Sequence, residues 1–279
     1  HMAKAKRLIQ ANLKIIDVVI ELVDARIPWS STNPMISQLI GQKPSVVVLN
    51  KADLADAAVL DDWIRYYKTQ GRLVMALNSK DGKGVKSLMA LVRRLAAPKL
   101  EHWRARGLKN RSVRTMILGI PNVGKSTLIN KLARRSAAKT ADKPGETKGK
   151  QWVHIGDQLD LLDTPGVLWP KLENQVSAYR LAATGAISDT VFDMETVITQ
   201  LITDLGTWYP EEVKVRFKLD SLCEAPLDTI EAIGRKRGCI VAGGVVDLEK
   251  TYKLILKEYR EGKIGRISLD RVEEAKEDA

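Results

Sequence analysis

The sequence predicts an α/β fold: a six-stranded, mostly parallel sheet over residues 1–172, followed by a small all-helical domain over 173–279. Three observations carry this expectation. Aliphatic runs of strand length alternate with amphipathic stretches of helical period through the first part of the chain. Gly156-Asp157 is the one hairpin signal between strands, so a single antiparallel edge is expected. Beyond about residue 172 the strand signals fade and amphipathic helices take over.

IIDVVIELVD (15–24), PSVVVLN (44–50) and RLVMALN (72–78) read as three buried strands. Between the last two, DAAVLDDWIRYYKTQG reads as a helix capped by Asp56 and ended by Gly71. Another helix opens near Val85, with Leu88, Leu91, Val92 and Leu95 on one face, and residues 96–114 read as a basic connector. VRTMILG (113–119) is a fourth strand and KSTLINKLARR (125–135) a helix. Residues 136–150 lack periodicity and read as a mobile loop. QWVHIGDQLDLLDTPG then supplies a strand, a turn and a strand. In the C-terminal domain, Leu248, Tyr252, Ile255, Leu256 and Tyr259 share one helical face and read as core.

A chain of 279 residues with 44% hydrophobic and 28% charged residues has the composition of a globular protein. No apolar run approaches the roughly 20 residues of a membrane span, and no signal-peptide pattern opens the sequence. Cys223 and Cys239 have neither disulfide-framework nor metal-site spacing, so a reducing cytoplasmic setting is expected; the protein is separately expected to be a monomer. The net charge of +11 favours a polyanionic partner, nucleic acid above all. The surplus is concentrated: residues 93–114 hold eight Lys/Arg against one Glu, and KLARRSAAKTADKPGETKGK (131–150) extends it.

Chemistry is concentrated in the loops. GIPNVGKS (119–126) matches G-x-x-x-x-G-K-[ST] between a strand and a helix. Gly119 and Gly124 permit the turn that lets the N–H groups of Asn122, Val123 and Gly124 face phosphates. Lys125 reaches the β/γ-phosphates, Ser126 is a Mg²⁺ ligand, and Thr127 is placed at the α-phosphate. Asp163-Thr164-Pro165-Gly166 lies 37 residues beyond Ser126. Asp163 is placed to hold Mg²⁺ through water, and the Gly166 N–H to sense the γ-phosphate. Thr147 is the expected second hydroxyl on Mg²⁺, with Thr140 in the same loop as its competitor.

Asn50-Lys51-Ala52-Asp53 ends a buried strand as a guanine reader does. Asp53 can accept from guanine N1–H and the 2-amino group, Asn50 can bond the O6 side, and the Lys51 stem can pack along the base or ribose. Asn78-Ser79-Lys80 is placed like the loop that supports the base. All five elements of a P-loop GTPase are thus present, with the last two moved ahead of the first: a Ras-like domain in circularly permuted order. Val167, where many switch GTPases carry a water-orienting Gln, has no donor or acceptor. Asn122 stands where some GTPases lacking that Gln bind potassium.

These motifs, together with HMAKA, ELVDARIP (21–28), NPMI (33–36), LLDTPGVLWPK and RKRGC with Gly243-Gly244, resemble the circularly permuted ribosome-biogenesis GTPases over nearly the whole chain. The resemblance implies GTP and GDP as ligands and action in late assembly of the bacterial large (50S) ribosomal subunit. It also implies contact with that precursor's rRNA and hydrolysis stimulated by the particle. It makes His1 a candidate for water activation. Two other functions share some of these motifs: a GTP-dependent RNA-binding placeholder with incidental hydrolysis, and a small-molecule phosphotransferase, which lacks an evident acceptor domain.

Overall fold

A computed structural model of the protein describes residues 2–109, 111–137, 151–156, 159–163 and 173–278. The strands are β1 (Val18–Asp24), β2 (Ser45–Asn50), β3 (Leu73–Ala76), β4 (Val113–Leu118), β5 (Gln151–Ile155) and β6 (Leu159–Asp163). They form one sheet in the order β3-β2-β1-β4-β6-β5, parallel throughout except for β5 against β6. β1 is buried along its whole length, as an aliphatic central strand covered on both faces must be. Its two charges are both matched: Glu21 by Arg72 at 2.9 Å and Asp24, the last residue, by Arg26 at 2.8 Å.

Parallel pairing sets the register of the functional edge. Asp24 lies beside Asn50, and Asp163 beside Ile117 near the end of β4. The C-terminal ends of β1, β2, β3, β4 and β6 therefore lie on the same edge, where open α/β sheets bind ligands. The strand order is that of a Ras-like domain with a different chain entry point, as the motif order required.

The helices are α1 (Met2–Leu13), α2 (Pro34–Ile40), α3 (Ala57–Thr69), α4 (Val85–Ala105), α5 (Lys125–Ala137), α6 (Gln175–Thr184), α7 (Met194–Trp208), α8 (Pro210–Phe217), α9 (Pro226–Lys236), α10 (Leu248–Arg260) and α11 (Val272–Glu277). Ile9 and Leu13 of α1 and Ile36 and Ile40 of α2 pack with Val19, Met116 and Leu162 on one sheet face. Neither helix was expected, although Asn33 caps α2 by accepting from Met35 N, with Pro34 in its first turn. Among the described residues no helix is long and apolar enough to cross a membrane.

Two expectations need correction. The connector expected at 96–114 is helical as far as Ala105, because α4 continues through Pro98. What sustains it is packing: Trp103 is buried, with Arg111 3.9 Å and Lys99 5.6 Å from its ring centroid. The loop expected from 136 begins with the last residues of α5, and 138–150 lie outside the described residues.

The helical region shares buried apolar contacts with the sheet layers. Leu181, Ile198, Ile230, Ile255 and Ile267 belong to one continuous apolar cluster with Val18, Val46, Leu88 and Leu128 of the sheet layers. The chain then returns to the sheet: Leu269 N donates to Arg26 O, and Val272 and Ala275 pack beside Trp63 of α3. Asp270, fully buried, accepts from Ser30 N and Ser30 Oγ at 2.7 Å and from Arg180 Nη1 at 2.8 Å. Removing that carboxylate leaves the two Ser30 donors unpaired in the interior and takes from Arg180 one of its two carboxylates, Glu274 being the other. Asp270→Ala is therefore expected to destabilise the protein by about 2–6 kcal/mol, from two buried donors left without an acceptor, read as a lower urea midpoint at unchanged slope.

Candidate nucleotide site

The loop between β4 and α5 has the shape that its two outer glycines demand. A Cβ on Gly119 would sit 2.9 Å from Leu22 O, and one on Gly124 would sit 2.2 Å from Asn50 Nδ2. Gly124 also has φ +103°, which side-chain-bearing residues rarely adopt. α5 starts at Lys125 and Leu128 N donates to Gly124 O, so the N–H groups of Lys125 to Thr127 have no carbonyl of their own helix to bond. They form a positive helix end suited to phosphate. Ser126 and Thr127 are exposed there.

Lys125 Nζ lies 3.4 Å from Asp163 Oδ1. Burial pushes the ammonium below the usual lysine range and Asp163 partly restores it. A phosphate arriving between them would pair with Lys125 and release the carboxylate. Among the described residues no group of three His, Cys, Asp or Glu forms a preassembled metal centre. The Ser126 hydroxyl and the Asp163 carboxylate are nevertheless hard oxygen donors at the phosphate end, which is the set Mg²⁺ accepts when phosphates and water complete its shell.

The other half of the site comes from the loops after β2 and β3. Asn50 is fully buried, its Oδ1 accepting from Ser79 N at 3.1 Å and its Nδ2 donating to Val123 O at 2.9 Å. Its amide thereby ties the base loop to the phosphate loop. Lys51, in the left-handed region at φ 57°, donates from Nζ to Asn122 O at 2.9 Å. Burial lowers the Lys51 pKa, against the pull of Asp24 and Asp53. Ala52, Asp53 and Leu54 form a 3₁₀ turn with Asp53 exposed at the surface. Asn78 Oδ1 accepts from Lys80 N and Asp81 N, so that side chain shapes its own turn.

The structure thus brings Asn50, Lys51, Asn78, Ser79, Asn122, Val123, Gly124, Lys125 and Asp163 to one sheet edge, with Ala52, Asp53, Ser126 and Thr127 on the same loops. His1, Thr147 and Gly166 lie outside the described residues. Sequence reasoning missed the helical region's part. Asn122 Nδ2 donates to Gly185 O at 3.1 Å, at the end of α6. Arg260 holds that end by donating to Ala182 O at 2.8 Å and Ala183 O at 3.1 Å. Arg26, in the DARIP stretch that sequence reasoning left without a role, forms a buried pair with Asp24 at 2.8 Å.

Residues 114–216 match the family model described as 50S ribosome-binding GTPase. That match begins at β4; β1–β3 and Asn50-Lys51-Ala52-Asp53 lie ahead of it, as a permuted chain requires. The Priestia megaterium protein named Ribosome biogenesis GTPase A is 48% identical over 99% of this chain and 96% of its own length. This is a GTPase of the ribosome biogenesis GTPase A family. The Thermotoga maritima relative of that name is 30% identical over 98% of this chain and 93% of its own. A GDP-bound structure of TM YlqF superposes with TM-score 0.69 at 27% identity, covering 95% of this chain and 99% of that one. GNP-bound YlqF from T. maritima gives 0.68 at 28%, covering 96% and 98%.

The family's site can be probed at its brace. Asn50→Asp keeps the acceptor for Ser79 N but sets an oxygen against Val123 O. Losing that bond and adding repulsion is expected to weaken GDP binding by about tenfold or more. Calorimetric titration of GDP checks this, with circular dichroism confirming that the sheet is intact.

Proposed function

We propose that this protein hydrolyses GTP to GDP and phosphate as a switch in late assembly of the large (50S) ribosomal subunit, and that the precursor particle stimulates the hydrolysis. The observation that carries the reading is the Asn50 brace, which makes the phosphate loop and the base loop one unit. Asp53 reads the guanine edge, with Lys51 between base loop and phosphate loop. Asn122, Val123, Gly124 and Lys125 cradle the phosphates, and Thr127 meets the α-phosphate. Ser126, Thr147 and Asp163 are the residues that would hold Mg²⁺, whose charge offsets that developing on the phosphates. Gly166 senses the γ-phosphate.

The isolated protein is a slow catalyst in this reading. Val167 cannot orient water, so the missing group comes from the particle or from His1. With Asn122 Nδ2 committed to Gly185 O, Asn122 Oδ1 is the atom offered to a potassium ion. Such an ion supplies positive charge where other GTPases use an arginine. The protein works in the cytoplasm as a monomer. It meets precursor rRNA through a basic surface on which Arg104, Arg106 and Arg235 are exposed. The family description, 50S ribosome-binding GTPase, supports this partner.

Turnover measured in potassium and in sodium, with and without large-subunit precursors, tests the proposal. Low basal turnover, raised by potassium and raised further by particles, is the expected result. Fast hydrolysis indifferent to both would refute it, and particle binding without stimulated turnover would favour a GTP-dependent RNA-binding placeholder. Asp53→Asn should move preference from GTP towards xanthosine triphosphate, read by competition binding. Binding to the precursor should weaken with salt at about 0.7–0.9 log units per log unit for each neutralised phosphate, and charge reversal at Arg104, Arg106 and Arg235 should flatten that slope.

A further inference from the structure

The turn that presents Asp53 is held from behind by residues more than 200 positions later in the chain. Arg266 Nε donates to Ala55 O at 2.6 Å and Arg266 Nη2 donates to Ala52 O at 2.9 Å. Ile267 N donates to Leu54 O at 3.1 Å, and Asp56 N donates to Ser268 Oγ at 3.0 Å. Gly262 packs so closely that an added Cβ would lie 2.7 Å from Leu54 Cδ2. From its own layer the turn has Ala52 N on Leu77 O and Leu54 N on Lys51 O. Ala52, Leu54, Ala55 and Asp56 are thus all held by the segment 266–268, while Asp53 itself is exposed.

A carboxylate that must meet two donors on one base edge tolerates only about 0.5 Å of drift. The turn follows Lys51 in the left-handed region, and a single 3₁₀ turn holds little stiffness of its own. We propose that Arg266 is a positioning residue for guanine selection, clamping the two carbonyls that flank Asp53 so that its carboxylate can engage N1–H and the 2-amino group together. The proposal rests on the reading of Asp53 as base reader and adds that the helical region sets how well it reads. Base selectivity then depends on the seating of the segment that follows α10.

Inosine diphosphate lacks the 2-amino group, so the ratio of GDP to inosine diphosphate affinity reports the second hydrogen bond to Asp53. That ratio is measured by equilibrium binding on the full chain with Mg²⁺. Arg266→Ala is expected to weaken GDP binding roughly ten- to hundredfold, as one or two lost charge-assisted bonds would, and inosine diphosphate binding less, so the ratio falls towards one. Arg216→Ala, which breaks an ion pair to Glu258 elsewhere in the helical region, should lower thermal stability and leave the ratio unchanged. If Arg266→Ala does not fold, Arg266→Gln decides, since its shorter amide cannot hold both carbonyls. An unchanged ratio in the Arg266 variant overturns the proposal, and so does an equal fall in Arg216→Ala. If the unmodified protein does not prefer GDP over inosine diphosphate, the assignment of Asp53 itself is wrong.

Discussion

One buried amide holds the site together. Asn50 stands at the end of β2, fully shielded from water, and spends its oxygen on Ser79 N and its nitrogen on Val123 O. Neither group could be left unpaired there without a cost of about 1–3 kcal/mol. The amide therefore dictates how closely the loops after β2, β3 and β4 approach one another. Gly124 has no side chain because Asn50 occupies the space that one would need. Lys51, next in sequence, extends the same brace to Asn122 O. The permuted chain order leaves the brace intact, since β2, β1 and β4 are neighbours in the sheet whichever element comes first.

Around this brace the helical region is joined to the sheet by buried charge. Asp24 and Arg26 pair at the end of β1, with Arg26 5.6 Å from the Tyr259 ring centroid. Burial opposes the charge on Asp24, yet the Arg26 guanidinium, helped by Lys51, outweighs it and holds the carboxyl below the usual aspartate range. Arg26 O accepts from Leu269 N while Asp270 fastens Ser30 to Arg180. Glu258 likewise gathers Arg216 and Arg237. Such pairs add little net stability once desolvation is counted, but a misplaced partner is costly, so they select one seating of the helices on the sheet. Asn122 meets Gly185 O within that seating. Phosphate loop and helical region therefore share a boundary.

Much of this protein was legible from short-range pattern. The parallel strands are near-continuous aliphatic runs because both sheet faces are covered. The phosphate loop is a local arrangement of glycines, lysine and serine ahead of a helix, and Asn50-Lys51-Ala52-Asp53 follows its strand directly. Such features reside within a few residues of one another, so the fold class, the permuted order and the identity of the loops followed from sequence alone. The helical spacing of α4 is legible only as far as Leu95, whereas burial of Trp103 against Arg111 and Lys99 carries the helix on to Ala105.

What the sequence could not state is which polar groups are consumed by the protein itself. That Asn50 braces two loops is visible only once its partners, Ser79 and Val123, arrive from elsewhere in the chain. Arg26, Arg260 and Arg266 look like surface charge, yet each donates to backbone carbonyls or a carboxylate far off in sequence. The composition of the chain determined that it is basic and globular, the alternation of its apolar runs that it is α/β, and its motifs where a nucleotide's phosphates and base are expected. Only the tertiary structure decided how rigidly they would be held, because hydrogen bonds between distant segments leave no periodicity and no spacing to read.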